Sequence, residues 1–124
     1  MQVMTTLPQE NLNDVPQAAR NAEMVGFDMV ATMENRYEPF MPLAAAAIST
    51  KTINIGTAVA IAFPRSPMVV ASTCWDLNNA SGGRFVLGLG PQIKPHNEKR
   101  FSVPWSPPAP RIREYVLALR AIWK

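Results

Sequence analysis

Few side chains in this 124-residue sequence stand at spacings that chemistry requires. The stretch Ser81 to His96, "SGGRFVLGLGPQIKPH", ends an apolar run on Gly88 and Gly90. A strand that runs into a glycine-rich turn and then a helix is how backbone amides and a helix dipole hold a dinucleotide pyrophosphate. That turn needs G-x-G-x-x-G, and the third position here is Ile93. Prolines at 91, 95, 104, 107, 108 and 110 also separate the glycines from the next helical pattern, which argues against such a turn. Two readings of the glycines stand: they let a strand end pack closely against its neighbours, or they admit a flat ring near the backbone.

Other candidates are isolated. Glu34 closes a short apolar run, and a carboxylate buried there without a partner is costly, so it is either a ligand contact or a solvated loop residue. Tyr37 and Glu38 lie in the same loop, within reach of a substrate or of water. The lone His96 is either a cofactor contact or a surface imidazole. One cysteine, Cys74, makes no internal disulfide, and a single histidine with scattered carboxylates makes no metal set, so no metal is expected. No residue is assigned a catalytic role. Trp75, Trp123 and the seven methionines read as core and helix-packing residues.

The elements that must position these residues alternate. Leu12, Val15, Ala19, Ala22 and Val25 share one helical face, with an asparagine cap before them and Gly26 after. "FDMVATM" is a run of strand length with the continuous apolarity of a parallel sheet. "PFMPLAAAAIST" is a helix, and "TINIGTAVAIAF", rich in β-branched residues, is a strand that Pro64 ends. Ser66 and Pro67 are a cap and first position for a helix that Gly82 and Gly83 terminate. "RFVLGLG" is a fourth strand if "QVMTTL" is the first. "PWSPPAP" is a long loop leading to a helix that opens at Pro110 and carries Ile112, Val116, Leu119 and Trp123 on one face.

Strand starts near residues 2, 28, 53 and 85 recur at the length of one strand plus one crossover helix, which defines parallel βα units. Two outcomes are open, a complete doubly wound sheet or part of a (β/α)8 barrel, whose eight units take roughly 250 residues. A content of 48% hydrophobic and 17% charged residues suits one globular core and excludes disorder. The apolar stretches fall short of the roughly 18 residues that a membrane span needs, and the N-terminus lacks a signal-peptide pattern, so a cytoplasmic protein with no membrane partner is expected. A net charge of +3 without a dense basic stripe argues against nucleic acid.

Taken together, "AARNAEMVGFDMVATMEN", "INIGTAVAIAFPRSPMVVASTCWDLNNASGGRFVLGLGPQ" and "REYVLALRAIW" resemble the N-terminal half of the bacterial-luciferase-like monooxygenase superfamily. The run "RFSVPWSPPAPRIREYVLALRAIW" is most similar to its branch of coenzyme F420-dependent oxidoreductases. The resemblance implies that residues 1–124 are a single partial domain, the N-terminal half of a (β/α)8 TIM barrel, with the other half outside this sequence. It implies a deazaflavin, coenzyme F420, or alternatively FMN, across the strand C-termini, exchanging a hydride with a small-molecule substrate or with oxygen. A non-proline cis peptide is implied at Ala58–Val59, behind the ring, and Ile61 matches a further cofactor-contact position.

Sugar-phosphate-oxidising relatives carry an acid on the cofactor and then a catalytic histidine; here Glu34 keeps the acid and Asn35 replaces the histidine. Where they have Thr-Gly and a proton-moving glutamate beyond Gly90, this sequence has Pro91, Gln92 and Ile93, and His96 falls at a polar cofactor contact. These departures disfavour that particular chemistry while leaving cofactor binding. The competing expectation is a non-catalytic half-barrel that self-associates, since four strands leave two unpaired edges and a homo-oligomer covers them.

Overall fold

Consecutive strands of this chain lie next to each other and consecutive helices pack side by side, which decides between the two parallel architectures. The computed structural model describes residues 1–124. Its units are β1 (Met4–Thr6) with α1 (Val15–Val25), and β2 (Met29–Thr32) with α2 (Phe40–Ser49). The third unit holds β3 (Asn54–Thr57), β4 (Ala60–Ile61) and α3 (Pro67–Ala80), and the fourth β5 (Phe85–Val86), β6 (Leu89–Gly90) and α4 (Pro108–Ile122). Every strand pair is parallel, with Thr6 opposite Ala31, Thr32 opposite Thr57, and Ile61 opposite Gly90. A doubly wound sheet reverses its strand order and splits its helices between two faces. Here the order β1-β2-β3-β5 never reverses and each helix packs on the next, so the fold is half of a (β/α)8 barrel.

The core lies between sheet and helices, where Val15 and Ala19 of α1, Leu43 and Ala46 of α2, Val70 and Ala71 of α3, and Tyr115 and Leu119 of α4 meet Val30 and Ile55. Small alanines on α2 let it approach the sheet, and the Ser66 hydroxyl caps α3 by accepting from the Met68 N–H.

Several expectations are corrected. The third and fourth barrel strands, expected as continuous runs, are each broken in two, and the ladder resumes only at Ala60 and Leu89, whereas the cis peptide that the resemblance implies at Ala58–Val59 is present. Leu12 sits in a 3-10 turn (Leu12–Asp14) and is exposed, as is Val25, so the buried face of α1 is Val15, Ala19 and Ala22. α4 opens at Pro108 rather than Pro110; prolines fit its first turn because those positions have no intrahelical acceptor. Tyr115, not Trp123, shares its buried seam with Leu119. Trp75 is 65% exposed, because it lies on the flank of α3 beside β5, the edge of the sheet. A π-helical turn (His96–Arg100) interrupts the stretch expected to be irregular loop.

Candidate functional site

Glu34 follows the end of β2 by two residues and is buried, with 6% of its surface exposed. Its N–H donates to the Val59 carbonyl at 3.3 Å, and its Oε2 accepts from the Ile61 N–H at 2.7 Å. The residue thus spans the break between β3 and β4, its backbone N–H on Val59 and its carboxylate on Ile61. The same Oε2 accepts from Arg65 Nη1 at 2.6 Å in a part-buried ion pair, while no protein donor reaches Oε1. Arg65 also donates to the Ile61 carbonyl at 2.9 Å and lies 5.5 Å from the centre of the Phe40 ring. Glu38 is not free in solvent: its Oε2 accepts from the Phe40 and Met41 N–H groups, capping α2, and its Oε1 meets Arg65 Nη2 at 3.4 Å. Tyr37 is half-buried, with the Arg36 guanidinium 5.6 Å from its ring centre.

The break itself is held from both sides. Ala58 N–H donates to the Thr32 carbonyl at 2.7 Å, and the Ala62 N–H donates to the Gly90 carbonyl at 2.9 Å. A Cβ at Gly88 would stand 2.1 Å from the Thr57 carbonyl oxygen, and one at Gly90 would stand 2.7 Å from Val59 Cγ2. Both glycines therefore serve close packing. Val59 fills the space over Gly90 and presents its own side chain, 44% exposed, at the strand ends.

Beyond Gly90 the chain is tied down by a residue that composition and spacing did not single out. Asn97 is fully buried and its Nδ2 donates to the carbonyls of Pro91 and Ile93, at 2.9 and 3.1 Å. Gln92 adopts a positive φ of 58° and its Oε1 accepts from the Ile93 N–H. Arg100 Nη1 donates to the Asn35 carbonyl at 2.5 Å, linking the π-helical turn to the loop after β2. The His96 imidazole is exposed and forms no hydrogen bond or ion pair.

Direct contacts thus join Glu34, Val59 and Ile61, with Ala58 and Gly90 on the same break; Asn35, Pro91 and Gln92 stand at the adjoining strand ends, and His96 lies apart on the turn. Arg65, Asn97 and Gln9 were missed. A basic residue between the strand and the Ser66 cap was the available signal for Arg65; Asn97 and Gln9 give none, being ordinary polar loop residues in the sequence. Gln9 Oε1 accepts from the Met33 N–H at 3.1 Å, and its buried Nε2 has no partner. Asn97 Oδ1 is likewise buried and unpartnered.

Chemically, the rim combines an orphaned amide donor, a carboxylate oxygen with no protein donor, and exposed apolar surface from Val59 and Met33. That set fits a flat heteroaromatic ring whose edge alternates N–H and C=O groups. Two titratable groups of the core are unsuited to proton transfer near neutrality: burial pushes the Cys74 thiol up to about 12, and burial, opposed by Arg65, leaves the Tyr115 phenol at about 12.

A half-barrel of parallel βα units with its polar cluster at the strand C-termini defines the class, since that rim is where barrel enzymes place their ligands. The chain belongs to the luciferase-like monooxygenase family, whose model matches residues 1–124. An uncharacterised protein of Mycobacterium tuberculosis is 55% identical over 106 residues, 86% of this chain and 31% of that protein. Among solved structures, the coenzyme F420-dependent tetrahydromethanopterin reductase of Methanopyrus kandleri superposes with a TM-score of 0.79 at 27% identity, over 93% of this chain and 38% of that one. The oxygenating constituent of 3,6-diketocamphane monooxygenase from Pseudomonas putida, in complex with FMN, gives a TM-score of 0.83 at 18% identity, over 99% and 40%. The chain spans about a third of the length of the curated relatives it matches, corresponding to their N-terminal part.

Proposed function

We propose that residues 1–124 are a single partial domain, the ring-binding part of an oxidoreductase that uses coenzyme F420, with FMN as the alternative, on a small organic substrate. When bound, either cofactor supplies the hydride chemistry; the protein's part is placement and polar contact. The observation that carries this reading is the Glu34–Ile61–Arg65 cluster across the break beside exposed Val59. Ala58, Val59, Ile61 and Gly90 would back the ring, Gln9 and Glu34 would meet its polar edge, and Asn35, Pro91, Gln92 and His96 would border it. The F420-dependent reductase is the more similar of the two solved relatives in sequence, which favours F420. A cytoplasmic location goes with this reading; no helix is long and apolar enough to cross a membrane.

The test is a titration of the 124-residue chain against F420 and against FMN, followed by ring absorbance and fluorescence. A saturable spectral change with either one supports the reading, and its absence with both sinks it. Binding is expected to be weak, because the chain spans only a third of its relatives' length.

A second reading, self-association, is favoured by one feature. Beside the unpaired edge of β5 lies an open groove of about 320 Å³ lined by Cys74, Trp75, Asn78, Phe85, Leu87 and Trp123. An edge strand next to exposed apolar surface favours pairing with a second copy. Light scattering that returns a monomer across a concentration series rejects it.

A further inference from the structure

We propose that Arg65 is a positioning residue that acts on the ligand through Glu34, an inference that rests on the reading of Glu34 as a ring contact. Three acceptors in different directions define its role: Glu34 Oε2 at 2.6 Å, the Ile61 carbonyl at 2.9 Å and Glu38 Oε1 at 3.4 Å. The shortest is to Glu34, whose side chain is 4% exposed against 45% for Glu38, so the better-shielded pair dominates and the Glu38 contact is peripheral. A planar guanidinium meets such a set with a fixed fork, which a lysine ammonium on a flexible stem does not reproduce.

The bonds close a ring around Ile61. Its N–H donates to Glu34 Oε2, its carbonyl accepts from Arg65 Nη1, and that same Nη1 donates to Oε2. Ile61 is the second residue of β4, and Glu34 also binds the Val59 carbonyl, so the pair fixes the chain on the far side of the break. Oε2 is saturated by two donors. Oε1 is then the carboxylate oxygen left for an N–H or O–H donor of a ligand, and Arg65 holds it in place by fixing Oε2. A carboxylate engaged in this way works as a fixed acceptor, not as a group that swings to deliver a proton.

The test pairs two readouts on Arg65→Met, Arg65→Lys, Glu34→Gln and the Arg65→Met/Glu34→Gln double variant. Amide hydrogen exchange needs no ligand: in Arg65→Met the Ile61 N–H should exchange about tenfold faster relative to the Ile55 N–H, which serves as the internal reference for global stability. Affinity for F420 or FMN should fall about tenfold in Arg65→Met and in Glu34→Gln, and the double variant should be no weaker than either single one, because the two residues act as one unit. Arg65→Lys should lie between wild type and Arg65→Met. Ile61 exchange at the wild-type rate in Arg65→Met overturns the proposal, as do losses that multiply in the double variant. Unchanged affinity in Glu34→Gln removes Glu34 from the ligand and overturns it too. A wild-type chain that binds neither ring rejects the functional reading instead, and the exchange measurement alone then decides whether Arg65 positions Glu34.

Discussion

The Thr57 hydroxyl donates to the Gly88 carbonyl at 2.7 Å and accepts from the Gly88 N–H at 2.9 Å, so one side chain closes the gap where two neighbouring barrel strands both break. Thr57 is 3% exposed, and no water replaces those bonds cheaply. Thr57→Val keeps the shape and removes both bonds, leaving the Gly88 N–H unpaired while the Gly88 carbonyl keeps the Ala60 N–H. It is expected to destabilise the fold by about 1–3 kcal/mol, while Thr57→Ser keeps most of that stability. Urea unfolding of the two variants decides: equal midpoints for Val and Ser would show that the hydroxyl contributes nothing.

Two glycines should fail for different reasons when replaced by alanine. At Gly88 the new methyl would lie 2.1 Å from a backbone oxygen, so a strand must move, and a cost above about 2 kcal/mol is expected. At Gly26, which ends α1, nothing lies within 4 Å, but φ is +95°. Only the backbone conformation is strained there, at about 1 kcal/mol. Matched denaturation curves should rank Gly88→Ala as the more damaging; the reverse order would mean that the strands yield easily.

The contrast between those glycines shows what the sequence carried. Gly26, the Ser66 cap and the recurrent apolar runs are local signals, and each placed an element boundary within a few residues. The breaks were not legible from periodicity: "TINIGTAVAIAF" is apolar and β-branched throughout, and nothing in that pattern marks Ala58–Val59. That bond came only from the resemblance. In the site, Glu34 was singled out because a carboxylate at the end of an apolar run is conspicuous. Its partner Arg65 is 31 residues away, and only the parallel pairing of β2 with β3 brings the two loops together. Trp75 reads as core because of its size, yet burial depends on what covers an element: only the end of α4, at Ile122 and Trp123, borders it, and no strand follows β5 at the sheet edge.

At the opposite end of the strands Arg84 gathers the start of β3 and the end of α2. Its guanidinium donates to the Ile53, Ala47 and Thr50 carbonyls and to Thr50 Oγ1, and its Nε donates to the Ser81 carbonyl at 2.6 Å. Arg84→Met keeps the stem and strands these acceptors. A loss of about 2–4 kcal/mol is expected, with lysine recovering little because a single ammonium cannot span the set. Thermal melts of Arg84→Met and Arg84→Lys would refute this if either variant melted with the wild type.

Acid sensitivity should trace to Glu23. Burial alone would raise its pKa, but the N–H groups of Thr52, Ile53 and Lys51, with the Thr52 hydroxyl, all donate to Oε1 and bring it down to about 2 from an ordinary 4.5. A carboxylate whose folded pKa is depressed binds protons less readily folded than unfolded. Its contribution is complete above about 4.5 and disappears as pH falls from there to about 2. Glu23→Gln should therefore be less stable than wild type at pH 7, by about 1 kcal/mol because solvent screens this partly exposed group. The difference should shrink below pH 4.5 and close near pH 2, where the wild-type carboxyl is itself protonated. Unfolding midpoints for both proteins across that range give the comparison, and a gap that stays constant with pH would show that Glu23 stabilises the α2–β3 loop by shape and not by charge.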